Sequence, residues 1–300
     1  MENKKAKILI CDDEPTILDV LKTILLAEGY KVITASNGKD AIELFKKDSP
    51  DLILLDVAMP GMSGFEVLEK LKGYFGENYT PVIFLTASIK IDHKIKALHS
   101  GAVDYLIKPV ASDELMARIR NFLELKEKQD QLRKEATFDW MTGTLNKGYF
   151  LKSAKEELEK SFRNGTPITF ALIDIDDFKK INDTFGHLAG DKVIREFAER
   201  LKKFVRKVDL IGRFGGDEFM IMLSQKAAKH GVIAADRLKK AMKRPVTFES
   251  KKIKVTFSMG IVEIKGIELV SVEGLLKAAD QVLYEAKSKG GDQYAIKEIA

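Results

Sequence analysis

The sequence predicts an α/β protein: a doubly wound parallel five-stranded domain, a long linker helix, and a second α/β domain. Three observations predict it. Residues 7–110 alternate short apolar runs with helical periodicity, residues 112–142 contain no Gly or Pro, and apolar runs resume beyond Phe138 on either side of a Gly-Gly pair. The expected boundaries are 1–123 for the first domain, 112–137 for the helix and 138–300 for the second domain. A length of 300 residues suits two ordinary domains, and an apolar content of 45% supplies their cores.

The apolar runs of the first domain are Lys7–Ile10, Val32–Ala35, Leu52–Leu55, Val82–Leu85 and Tyr105–Ile107. Between the first two, Ile17, Val20, Leu21, Ile24 and Leu25 repeat at helical spacing. Continuous apolar strands separated by helices predict a parallel sheet covered on both faces. Ser112-Asp113-Glu114 reads as a helix start, with an N-cap and acids in the first turn. Further along, Phe122, Leu125, Leu132 and Ala136 fall on a heptad seam interrupted by Gln129, a short and weak coiled coil. In the second domain, Val208–Ile211 and Phe219–Leu223 flank Gly215-Gly216-Asp217-Glu218, which reads as a β-hairpin whose glycines supply positive φ.

Ligands of a parallel α/β sheet bind beyond the carboxyl ends of its strands. Asp12 and Asp13 follow the first strand, Asp56 the third, Thr86 the fourth and Lys108-Pro109 the fifth. Such clustered acids call for a divalent cation, and their oxygen ligands suit Mg²⁺. A hydroxyl and a lysine beside them suit a transferred phosphoryl group. This constellation resembles the response-regulator receiver domain. The resemblance implies that Asp56 is the phosphoacceptor and that Asp12, Asp13, Asp56 and the carbonyl of Ala58 bind Mg²⁺ or Mn²⁺. It also implies that Thr86 and Lys108 contact the phosphoryl group, that Tyr105 is the switch aromatic, and that a sensor histidine kinase is the partner. The Lys108–Pro109 bond is a candidate cis peptide.

The hairpin glycines and acids stand with Leu172-Ile173-Asp174-Ile175-Asp176-Asp177-Phe178-Lys179-Lys180-Ile181-Asn182-Asp183, then Gly186-His187-Leu188-Ala189-Gly190-Asp191, and Arg213-Phe214. Together they resemble the GGDEF family of diguanylate cyclases. The resemblance implies a nucleotidyl-cyclase-like domain that condenses two GTP into cyclic di-GMP and two pyrophosphates, working as a homodimer. Asp174, the carbonyl of Ile175, Asp217 and Glu218 are the implied metal ligands, with Asp217 and Glu218 catalytic. Asn182 and Asp191 are the implied guanine contacts, Lys179 and Lys287 the phosphate lysines, and His187 lies in the same motif. Arg206-x-x-Asp209 matches the family's product-inhibition site. Two departures stand out. Lys147 and Gly148 replace an Arg-Arg pair, and Gly291 replaces an arginine expected to touch phosphate. They sustain a rival reading, a non-catalytic GTP or cyclic di-GMP receptor that signals through a protein partner.

Charge is uneven: residues 1–125 hold 16 Lys+Arg against 19 Asp+Glu, and residues 126–300 hold 34 against 26. An acidic metal-binding half and a basic half that handles a polyanion fit this. No recognition-helix pattern or basic-aromatic strip supports a nucleic-acid partner. No apolar run spans a bilayer and no signal peptide is visible, so no membrane association is expected. The single cysteine, Cys11, lies in an apolar strand pattern, and a cytoplasmic protein is expected.

Overall fold

The structure is a computed structural model that describes residues 6–75, 79–87, 100–206, 208–224, 230–264 and 270–299. The chain divides into two units, Met1–Leu132 and Arg133–Ala300.

In the first unit, strands β1 (Lys7–Cys11), β2 (Lys31–Ala35), β3 (Leu52–Asp56), β4 (Val82–Thr86) and β5 (Asp104–Ile107) form one sheet in the order β2-β1-β3-β4-β5. Every pairing in it is parallel. All residues of β3 and β4 are buried, as strands covered on both faces require. On one face Leu9, Ile53, Leu55 and Phe84 pack against α2 (Gly38–Asp48) and α3 (Gly64–Phe75). On the other, Ile8, Ile10, Leu54, Ile83 and Leu85 pack with Leu21 and Leu25 of α1 (Pro15–Ala27) and with Leu115 and Ile119 of α4 (Ser112–Thr137). Helix α2 has complementary ends: Asn37 accepts from the Asp40 amide at 3.0 Å, and Lys46 and Lys47 stand in its last turn. The helix expected between β4 and β5 falls on residues 88–99, outside the described residues. Along α4 the apolar face is buried only over its first turns. Leu125 and Leu132, on the heptad seam, are 47% and 65% exposed.

The second unit has α5 (Lys147–Asn164), β6 (Ile168–Ile175), α6 (Phe178–Phe185), α7 (His187–Lys202), β7 (Leu210–Gly215), β8 (Glu218–Ser224), α8 (His230–Met242), β9 (Val246–Phe248), β10 (Lys251–Ile253), β11 (Phe257–Ile264), α9 (Val272–Ser288) and β12 (Tyr294–Ile299). Its main sheet runs β12-β11-β6-β8-β7, antiparallel except for the parallel β11–β12 pair. Central β6 is buried at all eight positions. Phe197, Phe219 and Phe257 fill one face under α7, and Phe150 and Phe170 fill the other with α5 and α9. A polar turn joins the end of α4 to this sheet. The Asn146 amide donates to the Ala136 carbonyl at 2.8 Å while its oxygen caps α5 through the Tyr149 amide at 2.9 Å. Leu145 then bonds both Ile211 and Arg213 of β7 through its backbone at 2.9 Å.

Candidate functional sites

The parallel sheet brings five residues from four strand ends together in the first unit. One oxygen from each of Asp12, Asp13 and Asp56 lies within 4.8 Å of the others. The Lys108 ammonium is 2.6 Å from both Asp12 Oδ2 and Asp56 Oδ1. Asp12 and Asp56 are buried, and the Ala58 amide donates to Asp56 Oδ2 at 2.9 Å. Burial pushes the Asp56 carboxyl up, against the opposing pull of Lys108. Burial also pulls the Lys108 ammonium down, but its close pairing with the Asp12 and Asp56 carboxylates outweighs it, and the net shift is upward. Asp12 Oδ2 has no well-aligned hydrogen bond despite its nearby ammonium. An acceptor-only oxygen left so is suited to the non-directional bonding of a hard cation. Thr86 is buried at the end of β4, and Tyr105 is half-buried on β5. The Lys108–Pro109 bond is cis. Cys11 packs against the Met59 sulfur at 3.4 Å, and burial beside Asp12 pushes its thiol up to about 12. It is a packing residue, not a nucleophile.

In the second unit, pairing across the sheet places Asp174 of β6 opposite Glu218 of β8 on one side and Ser258 of β11 on the other. Lys287, near the end of α9, reaches Asp174 Oδ2 at 2.8 Å. Burial pushes the Asp174 carboxyl up against the pull of Lys287, with Asp217 and Asp176 adding to the rise, and burial followed by Asp174 and Asp217 pushes the Glu218 carboxyl up. Asp174 and Glu218, both raised with the Asp217 charge beside them, form with Asp217 an oxygen donor set that fits a divalent cation. They are spread more widely than the receiver acids, the one group among the described residues whose ligand atoms all fall within 4.8 Å.

The hairpin departs from the sequence expectation in one respect. Only Gly216 has positive φ, at +45°, whereas Gly215 ends β7 beside a register irregularity. The turn glycines are exposed, but Asp217 and Glu218 are half-buried. The tip is gripped by Arg213, whose Nε and Nη2 donate to the Gly216 carbonyl at 2.9 and 2.7 Å while Nη1 meets both Asp139 oxygens at 3.2 Å. Arg213 was visible in the sequence only as a neighbour of the glycines. Its partner lies 74 residues away.

Asn182, at the end of α6, and Asp191, at the start of α7, come together. Gly190 lets the Asn182 side chain lie where a Cβ would stand 1.9 Å from its oxygen. Asp191 follows at once, with the Arg195 guanidinium 3.6 Å away, and His187 and Lys179 are exposed nearby in sequence. Arg206 is exposed, and Asp209 accepts from the amides of Arg206 at 2.7 Å and Ser224 at 3.3 Å. Lys207, between them, lies outside the described residues. Lys147, where the family has arginine, places its ammonium 3.8 Å over the Phe214 ring.

The first unit is a parallel α/β sheet with an acidic cluster at its strand ends, and the second is an α/β domain with Asp174 and Glu218 on neighbouring strands and Asp217 at the hairpin tip. The family model described as diguanylate cyclase, GGDEF domain, matches residues 136–293, and that for the response regulator receiver domain matches residues 8–120. The chain belongs to the GGDEF diguanylate cyclase family and carries a response-regulator receiver domain. Response regulator PleD of Caulobacter vibrioides is 32% identical over 294 residues, which cover 95% of this chain and 64% of PleD. The chain thus spans a little under two thirds of that relative's length. Diguanylate cyclase A of Treponema denticola is 32% identical over 89% of this chain and 73% of its own length. Among solved structures, the coiled coil and GGDEF domain of DgcB from Caulobacter crescentus, in complex with c-di-GMP, aligns with a TM-score of 0.54 at 28% identity. That match covers 62% of this chain and 98% of the DgcB chain. No described helix is long and apolar enough to cross a membrane.

Proposed function

We propose that this chain is a phosphorylation-controlled diguanylate cyclase. The observation that carries the reading is the placement of Asp174, between Glu218 across the sheet and Lys287 at 2.8 Å. Two GTP molecules, one on each of two facing copies, would react. Each 3′-oxygen loses its proton and bonds to the other nucleotide's α-phosphorus. The α–β phosphoanhydride bond breaks, and pyrophosphate leaves from each. Asp174, Asp217, Glu218 and the Ile175 carbonyl would hold Mg²⁺ or Mn²⁺, which supplies charge neutralisation of the phosphates and activation of the attacking oxygen. Lys287 and Lys179 bind the triphosphate, and Asp191 with Asn182 accepts from or donates to the guanine edge. Asp217 would take the 3′-proton, and Arg213 holds the backbone of the tip that carries it. Guanine is chosen over adenine because a carboxylate accepts two adjacent donors only from guanine.

In the first unit, Asp12, Asp13, Asp56 and the Ala58 carbonyl would hold the same class of cation. Asp56 accepts a phosphoryl group from a sensor histidine kinase. Lys108, bound to both Asp56 and Asp12, moves to the new phosphoryl oxygens with Thr86, and Tyr105 follows inward. Arg206 and Asp209 form a product-inhibition site. The proposed domains are 1–123, 112–137 and 138–300. Gly291, in place of an arginine, keeps the receptor reading distinct. Incubation of purified protein with GTP and Mg²⁺, with and without acetyl phosphate, decides between them by chromatography of the nucleotides. Cyclic di-GMP, increased by acetyl phosphate, is the expected product. Bound but unconverted GTP would select the receptor.

A further inference from the structure

One carboxylate beside the second site takes no part in that chemistry. Asp176 follows β6 directly, two residues beyond Asp174. Its Oδ1 accepts from the Ser258 hydroxyl at 2.6 Å, and its Oδ2 accepts from the Asp292 backbone amide at 2.8 Å. Ser258 is fully buried on β11 and is the cross-strand neighbour of Asp174. Asp176 therefore ties the strand end that carries Asp174 to the turn that follows Lys287.

That turn has an uncommon backbone. Gly290, Gly291 and Asp292 are successive residues at φ +105°, +71° and +49°. An aspartate at positive φ is uncommon, and contacts that hold its backbone favour it. Here the support is the Asp176 oxygen on its amide and the Lys239 ammonium on its carbonyl. Gly291 lies against the same carboxylate, since a Cβ there would stand 3.2–3.4 Å from three Asp176 atoms. A side chain at 291 would meet both left-handed strain and the clamp.

We infer that Asp176 is a positioning residue that fixes the Lys287–Asp292 turn against β6, sets Lys287 beside the triphosphate, and crowds any side chain placed at 291. The inference rests on the reading of this unit as a GTP site. Asp176 works through two accepted hydrogen bonds, not through its charge. An asparagine can reproduce both contacts: its carbonyl accepts from the Asp292 amide, and its NH₂ donates to the Ser258 oxygen.

The test uses the full-length chain with Mg²⁺ and α,β-methylene GTP, which cannot release pyrophosphate. Affinity is measured by calorimetry, and exchange of the Asp292 amide by mass spectrometry. Asp176→Ala should weaken the analogue about tenfold, on the order of one ordinary hydrogen bond, and should speed exchange at Asp292. Asp176→Asn should restore both. Gly291→Ala should weaken the analogue in the otherwise native chain and have a smaller effect beside Asp176→Ala. It also carries the test if Asp176→Ala does not fold. Wild-type affinity in Asp176→Ala, equal losses in the Asn and Ala variants, or an unaffected Gly291→Ala would overturn the inference while leaving the GTP reading in place. A native chain that does not bind the analogue would overturn the GTP reading itself.

Discussion

Arg213→Ala is the most informative perturbation of the second unit. The Arg213 and Asp139 side chains are 12% and 16% exposed, so their ion pair is largely shielded from solvent. Removing one partner of such a pair leaves a buried charge uncompensated and costs about 3–5 kcal/mol. The Gly216 carbonyl loses two charged donors at the same time. Asp139 retains Thr142, whose amide and hydroxyl donate at 2.9 and 2.7 Å, so the lower end of that range is expected. For a unit of this size about 3 kcal/mol corresponds to a fall of roughly 6–12 °C in the midpoint. The effect depends on pH. Burial pushes the Asp139 carboxyl up, but Thr142 and Arg213 overcome it, and the net shift is downward. A carboxyl lowered on folding contributes stability above its unfolded value and loses it as pH falls through its folded value. The gap between native and variant proteins should be full at about pH 7 and narrow only below the ordinary carboxylate range near about 3.9. Scanning calorimetry of the full chain, following the transition of the second unit across this range, is the assay. Trp140, 82% exposed and the only tryptophan, sits beside Asp139 and reports the turn by fluorescence. A displaced hairpin tip should also cost turnover, about 10²-fold for about 1 Å. An unchanged midpoint and an unchanged rate would refute the idea that Arg213 holds the tip.

Four further outcomes are expected. Asp56→Asn should abolish phosphoryl uptake from acetyl phosphate, followed by phosphate-affinity electrophoresis, and leave basal cyclase activity; normal activation would remove the phosphoacceptor assignment. Asp191→Asn replaces an acceptor-only group and leaves a guanine donor unmet at about 1–3 kcal/mol, so GTP affinity should fall roughly tenfold; calorimetry showing the same GTP-over-ATP preference would sink it. Arg206→Ala leaves the Asp209 contacts to the backbone in place, since they use the Arg206 amide and not its guanidinium. Titrated cyclic di-GMP should then inhibit the variant less, and equal inhibition constants would return Arg206 to the status of a surface cation. One residue inserted near Lys128 in α4 turns the downstream helix by about 100°, whereas seven nearly restore its phase; acetyl phosphate should activate only the second variant, and activation of both would make the helix a passive tether.

Much of this protein is determined by local sequence. The parallel sheet of the first unit follows from five short apolar runs with helices between them, because strands buried on both faces must be apolar throughout. The receiver constellation follows from the sheet, since parallel strands deliver their carboxyl ends to one edge and so gather Asp12, Asp13, Asp56, Thr86 and Lys108. The Asp174 and Gly-Gly-Asp-Glu strings were equally legible, because each is contiguous. Contacts across long loops were not. Asp176 stood in plain view inside an acidic run, yet its partners are 82 and 116 residues away. Arg213 and Asp139 gave no sign of one another. Gly215 and Gly216 look alike in sequence, but the bulge at the end of β7 gives positive φ to only one of them. Gly291 read as a missing arginine until the fold set it against the Asp176 carboxylate. The physical reason is common to these cases. Periodicity and strand-end chemistry are properties of neighbours along the chain, whereas a hydrogen bond between distant residues exists only after the sheet has chosen its strand order.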